Sequence, residues 1–188
     1  MTGVQTCALP ICKDPAILTA YDRERQHGAD ENLLNSSRTT RFMSPAPGAE
    51  RLFRDAVLTL AAKAPFARPL VNSGRLSVAC TYPMPDATPA LPRLSRPGTV
   101  APDAPLPDGW LIDRLGHVPV LLAIGGPAPD VAGLQTLTLD PTPDLQARYL
   151  GTQPQALYLI RPDQIIAARW LTATQEAIET ALTALWEA

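Results

Sequence analysis

The chain has 188 residues, 46% of them apolar, and a formal net charge of -2. That length allows one ordinary domain, or one domain and a piece of another. The charge gives no reason to expect a nucleic acid or an anionic membrane as partner, and no apolar run approaches the roughly 20 residues that cross a bilayer. The 21 prolines exceed the usual share of about 5%, so long irregular connections are expected.

Residues 2–11 read TGVQTCALPI. The string looks like the translation of a common sequencing-library adapter, with Met1 from a GTG codon used as a start. A signal peptide fits poorly, because no Lys or Arg precedes Leu9 and the apolar run is too short. Residues 1–12 are therefore expected to be an adapter-derived artefact, with Cys12 at the junction, and the reading frame is expected to begin inside a gene. Of the three cysteines, Cys7 belongs to that stretch and Cys80 stands alone. One thiol makes no intramolecular disulfide, which fits a reducing cytoplasm. With no histidine near it in sequence, Cys80 reads as a partly buried small apolar residue rather than a nucleophile.

Asp14-Pro15 is a helix start, Asp as N-cap and Pro at the first helical position. The helix is expected to run to about Asn35, with Ile17, Leu18 and Tyr21 on one face and a weak middle at Gly28. Asp30, Glu31 and Asn32 are consecutive on it. A hard cation needs converging oxygens, so they read as a solvated or interdomain helix face. Residues 38–48 form a connection. A second helix spans Ala49 to Lys63, with Leu52, Phe53, Ala56, Val57, Leu60 and Ala61 as an apolar stripe. Glu50 and Lys63 suit its two ends, and Pro65 closes it. Arg68 and Arg75 follow. Beside an Asn-Ser-Gly turn they read as salt-bridge and loop-fixing groups rather than an anion site.

Thr81 to Pro107 is punctuated by proline and reads as an extended linker, lying over a surface or spanning two domains. From Gly109 the chain becomes a domain. Val118–Ile124 reads as a buried strand, ended by Gly125-Gly126. Leu134–Leu139 is a second strand, with Leu137 and Leu139 on one face. Pro143–Leu150 is a short helix capped by Thr142 and stopped by Gly151. Ala156–Arg161 and Ile165–Trp170 form a hairpin around Pro162-Asp163-Gln164. Its near-continuous apolarity places it at the centre of a sheet with helices packed on it. The last helix runs from about Thr174 to Glu187.

The motif RPDQ-x-x-AARW (Arg161–Trp170) resembles the C-terminal domain of flavin-dependent aromatic-ring hydroxylases similar to phenol 2-monooxygenase. The segment AYDRERQHGADENLLNSSRTTRF resembles the end of their FAD-binding region, through Tyr21, Asp22, Glu24, Arg25, Ala29, Asp30, Glu31, Asn32, Asn35, Ser36, Arg38 and Thr40. PFARPLVNSGRLS (Pro65–Ser77) and PGTVAPDAPL (Pro97–Leu106) continue the likeness. The chain departs from the family pattern at His27-Gly28, where relatives carry a proline and a larger residue. It departs again at Ile165-Ile166, where they often have His-Val.

The resemblance implies an α/β (α+β) chain: a thioredoxin-like mixed sheet with flanking helices at 109–188, preceded by two helices at 13–80 left over from a truncated FAD/substrate domain, with 81–108 as linker. The order strand, strand, helix, strand, strand, helix fits that sheet if the first crossover helix shrinks to Gly125–Gly133. Pro154 stands where such folds often place a cis proline. The implied parent is a cytoplasmic monooxygenase that hydroxylates a phenol-like ring with FAD, NAD(P)H and O2. Its FAD domain and substrate contacts are expected upstream.

This chain itself is expected to bind no cofactor and to hold no catalytic, cofactor-binding or metal residue. There is no cysteine pair for dithiol exchange. No Gly-x-Gly-x-x-Gly turn exists, and Gly125-Gly126-Pro127 lacks the spacing. His27 and His117 are too few for zinc and read as surface or capping imidazoles. Arg161 and Asp163 are expected to fix their turn by an ion pair or amide contacts. The alternative is a non-catalytic thioredoxin-like interaction or dimerisation module, for which Pro15–Asn35 would be covered by the chain's own residues.

Overall fold

A computed structural model describes residues 15–71 and 79–187. They fall into two units, one of Glu24–Cys80 and one that gathers Thr81–Ala188 with the start of the chain. The expected N-cap Asp14 and the adapter-like segment lie outside the described residues.

Helix α1 spans Pro15–Met43, so it continues well beyond Asn35. Polar side chains at and beyond the expected end fold back onto their own helix. Asn35 Nδ2 donates to Glu31 O at 2.9 Å, Ser36 Oγ to Leu33 O at 3.2 Å, and Thr39 Oγ1 to Asn35 O at 2.9 Å. Side chains that bond carbonyls three or four residues back are tolerated inside a helix. The true stop is Ser44-Pro45, since proline disfavours helix in the residue before it. The expected connection from Arg38 therefore begins only at Ser44.

Helix α2 spans Ala49–Lys63 as expected, with Glu50 in its first turn and Lys63 in its last. Glu50 Oε2 accepts from Ala46 N at 3.0 Å. A 3-10 turn at Pro65–Ala67 and the short helix α3, Arg68–Val71, follow. Val57 is the only buried residue of the α2 stripe, while Leu52 and Phe53 are 72% and 62% exposed.

The second unit opens with the tiny hairpin β1 (Pro105–Leu106) and β2 (Gly109–Trp110). A sheet follows, of β3 (Val120–Ile124), β4 (Gln135–Leu139), β5 (Ala156–Ile160) and β6 (Ile166–Trp170). The short helix α4, Pro143–Leu145, continues as a π turn to Leu150, and α5 spans Gln175–Glu187. Thr142 Oγ1 caps α4 by accepting from Leu145 N at 3.2 Å.

The strand order is β4-β3-β5-β6, with β3 parallel to β4 and antiparallel to β5. The parallel link runs through residues 125–134 with no helix. The peptide bond before Pro154 is trans, like the others described. The hairpin β5–β6 does not sit at the centre as expected. β3 and β5 are the inner strands, buried along their whole length, and β6 is the last strand. Its apolarity has another cause. Residues 98–101 cover its outer edge: Gly98 N donates to Ile166 O at 2.8 Å, Ile166 N to Thr99 O at 2.9 Å, and Ala101 N to Gln164 O at 2.8 Å. Such cover removes the exposed backbone that an edge strand would present.

Strand alternation sends the inner strands' side chains to two faces. Leu122, Ile124, Tyr158 and Ile160 meet Leu145, Tyr149, Leu91 and Ala104 on one face. Leu121, Ala123, Leu157 and Leu159 meet Ile178 and other residues of α5 on the opposite face. The proline-rich stretch expected as a linker thus forms one wall of this core, with Tyr82, Leu91, Ala101 and Ala104 buried. A single glycine permits it. Gly98 has φ +84, and a Cβ there would stand 2.0 Å from Tyr82 O. Gly98→Ala should therefore destabilise the protein by more than about 1 kcal/mol. A thermal melt within error of the parent would show that this stretch is not held against β6.

Candidate functional site

The structure scatters the few residues that could carry chemistry. Cys80 is half-buried, and a Cβ added to Gly28 would lie 3.3 Å from its Sγ. His117 is exposed and holds a left-handed φ of 61°. Glu31 is half-buried between exposed Asp30 and Asn32 on α1. Among the described residues no group of three or more His, Cys, Asp or Glu could hold a metal. Arg68 is exposed, and Arg75 lies outside the described residues. Ile165 and Ile166 are buried, so the position where relatives carry histidine is filled by core.

The turn after β3 does not fit a flavin pyrophosphate. A Cβ on Gly125 would meet Pro154 O at 2.3 Å, and one on Gly126 would meet Gln155 Oε1 at 2.3 Å. Both glycines face their own chain, and Pro127 has no N–H to offer an anion. A cleft of about 350 Å³ lies beside this turn, and its walls, including Pro127, Gln155 and Thr172, carry no titratable group. It has no acid, base or nucleophile to offer.

The turn of the main hairpin is fixed as expected. Arg161 Nε and Nη2 donate to Asp163 Oδ1 and Oδ2 at 3.0 and 2.7 Å. Gln164, with φ 66°, donates its N–H to Arg161 O at 2.9 Å.

The densest polar site was not foreseen. It centres on Arg169, the arginine of the AARW motif, which is 3% exposed. Its Nε and Nη2 donate to Asp86 Oδ1 and Oδ2 at 3.0 and 2.6 Å. Its Nη1 donates to Pro92 O at 2.7 Å and Ser95 O at 3.2 Å. Ser95 Oγ lies 3.2 Å from Tyr158 Oη. Tyr158 Oη donates to Tyr149 O, and Tyr149 Oη donates to Pro102 O at 2.5 Å. The two rings meet edge to face, centroids 5.0 Å apart. One signal could have found the site: a guanidinium in an apolar strand must have partners, since an unpaired buried charge is too costly.

Arg169's hydrogen bonds hold the Asp86 carboxyl below its ordinary value. Burial raises the phenol pKa of both Tyr149 and Tyr158. Arg169, Ser95, Tyr149 and Tyr158 are buried, Asp86 closes the network at the surface, and together they act as fasteners.

In the helical unit, α1, α2 and α3 enclose an open cleft of about 790 Å³. Leu34, Phe42, Phe53 and Leu70 supply apolar walls, and Arg38 and Arg41 supply charge. Arg54 also lines it but is paired with Asp55 at 2.7 Å. Glu31 and Glu50 complete its polar rim. No helix of the described residues is long and apolar enough to cross a membrane.

The chain shares its fold with part of a group of flavin enzymes. No family model matches the sequence, and no curated protein does. The rebeccamycin biosynthetic enzyme RebC with reduced flavin matches at a TM-score of 0.61 and 22% identity, over 93% of this chain and 37% of that one. RebC soaked with chromopyrrolic acid, with 7-carboxy-K252c bound, matches at 0.58 and 22%, over 93% and 38%. The flavin-dependent monooxygenase PieE, in complex with FAD and substrate, matches at 0.50 and 21%, over 79% and 32%. The chain therefore spans little more than a third of RebC's length.

Arg169→Ala should destabilise the sheet unit by about 1–3 kcal/mol, the cost of leaving the Pro92 and Ser95 carbonyls without their donor. Asp86 adds a pH signature. Its carboxyl is depressed in the folded state, so its contribution is present above the ordinary carboxylate pKa of about 3.9 and is lost as pH falls through the lower folded value. Asp86→Asn should flatten the acid limb of stability against pH below about 4. An unchanged acid limb would contradict the pairing.

Proposed function

We propose that this chain is the C-terminal part of a cytoplasmic flavin-dependent monooxygenase that hydroxylates a phenol-like aromatic ring with NAD(P)H and O2. The observation that carries the reading is the fold match to RebC, over 93% of this chain but only 37% of that protein. The motif likenesses at Tyr21–Thr40 and Arg161–Trp170 support it independently of shape. In this reading 13–80 ends the FAD/substrate domain, 81–108 approaches the last domain, and 109–188 is thioredoxin-like. The order β4-β3-β5-β6, with β5 antiparallel to both neighbours, supports that last assignment.

FAD would supply the oxygen-activating chemistry in the parent. The parent's flavin and substrate contacts are assigned to its upstream part, because this sequence carries no Gly-x-Gly-x-x-Gly turn. The chain alone is inactive.

The alternative, a non-catalytic thioredoxin-like interaction or dimerisation module, requires α1 to be covered by the chain's own residues. Of the face that the first reading leaves open, Ile17 and Leu18 are half-buried and Tyr21 is 58% exposed, so it is the fold match rather than this face that favours the first reading.

Re-amplifying the locus from its source DNA tests the proposal. An in-frame region with a strand–Gly-x-Gly-x-x-Gly–helix should join before Lys13. The purified chain alone should leave FAD fluorescence unchanged. A genuine stop codon followed by a start near Lys13, or tight flavin binding by the chain alone, would overturn it.

A further inference from the structure

We infer that the open edge of the sheet, strand β4, pairs antiparallel with β4 of a second copy of this chain about a two-fold axis at Leu137. It holds with or without the parentage proposed above. The two edges of the sheet differ. β6 is covered along its outer side by residues 98–101 and carries a register shift against Leu159 and Ile160. β4 has no such shift, since its pairing with β3 is continuous over its whole length. Its sequence, QTLTL, also holds no proline and no charge, the other devices that keep an edge strand single.

The backbone sets which groups are left open. Leu139 O faces the β3 side, where it accepts from Gly125 N at 3.0 Å. Backbone groups alternate in direction along a strand, so those of Gln135 and Leu137 also face β3 and those of Thr136 and Thr138 face outward. No described residue bonds these outward groups, and both threonine side chains are exposed.

Their placement chooses the occupant, because they flank Leu137 symmetrically and Thr-Leu-Thr reads the same in both directions. A two-fold at Leu137 sets Thr136 of each copy opposite Thr138 of the other, as a pair that exchanges both N–H···O bonds. Every outward N–H and C=O of the two threonines is then satisfied. Leu137 meets its own equivalent as a non-hydrogen-bonded pair, where side chains lie closest. It is only half-buried against its own core, which leaves surface for that contact. Cross-strand Thr–Thr pairs are favourable, and the uncharged strand opposes no like charges. The contact is isologous. It also closes, because the far edge of each copy is the covered β6, so association stops at a dimer. A strand of another protein would have to be matched to these groups, whereas a copy of β4 is matched by its own sequence.

The test is sedimentation of the full chain over a range of concentrations. The parent chain should form a dimer. Thr138→Pro removes an outward N–H and spares the ladder to β3. It should weaken the dimer about tenfold or more, since one interchain hydrogen bond is lost from each copy. Thr136→Lys with Thr138→Lys sets like charges opposite each other and should make the chain monomeric. Mixing that variant with Thr136→Glu, Thr138→Glu should restore a dimer, because each lysine then faces a glutamate. These exposed substitutions guard against Thr138→Pro failing to fold, and circular dichroism should keep the parent signal. A monomeric parent chain would overturn the inference and leave the edge to a strand of another protein. A dimer that survives the substitutions is held elsewhere and would overturn it too. A mixture that stays monomeric would overturn the pairing at Leu137.

Discussion

A single buried guanidinium organises the larger unit. Arg169 arises from the last strand of the sheet, inside an apolar run, where a lone charge would not be tolerated. It is tolerated because four acceptor oxygens surround it: two on the Asp86 carboxylate and the carbonyls of Pro92 and Ser95. All of them lie in a proline-rich stretch of little intrinsic structure. The side chain therefore converts what composition describes as a tether into a wall of the core. Ser95, Tyr158 and Tyr149 extend the same chain of hydrogen bonds to Pro102. A polar network of this kind, fully satisfied, fixes one packing arrangement among several that apolar contacts alone would allow.

The element order of the sheet unit is legible in the sequence because its signals are local. Thr142-Pro143 starts a helix, Gly151 stops it, and Pro162-Asp163 turns a hairpin within a few residues of the strands they define. The helix from Ala49 to Lys63 is equally plain. What cannot be seen is long-range. Asp86 and Arg169 are 83 positions apart, and no periodicity links them, so the proline-rich stretch reads as a tether. The same blindness puts the hairpin at the sheet's centre. Ile165 and Ile166 look like an inner strand, but they are buried because residues 98–101 lie along their edge. In α1 the misreading is local. The helix is expected to end near Asn35, yet Asn35, Ser36 and Thr39 each bond a carbonyl of the preceding turn and the helix runs on to Met43.

Of the candidate site, the Arg161–Asp163 turn was legible because its partners are two residues apart, while the Arg169 network was not. In the turn after β3 a Cβ on Gly125 or Gly126 would meet Pro154 O or Gln155 Oε1 at 2.3 Å, so both positions need glycine. The two units also contrast in their burial. The sheet unit buries all ten side chains of its inner strands. The helical unit leaves Leu52, Phe53 and Phe66 open. One core is complete and the other is left open.

Hydrogen exchange on the intact chain, followed by mass spectrometry, measures that contrast directly. Amides of β3 and β5 should exchange only through global opening of the sheet unit, and those of α1 and α2 should exchange orders of magnitude faster through local opening. Equal protection of the helices and the sheet would contradict the account, because it would mean that the helical unit is already complete without a partner.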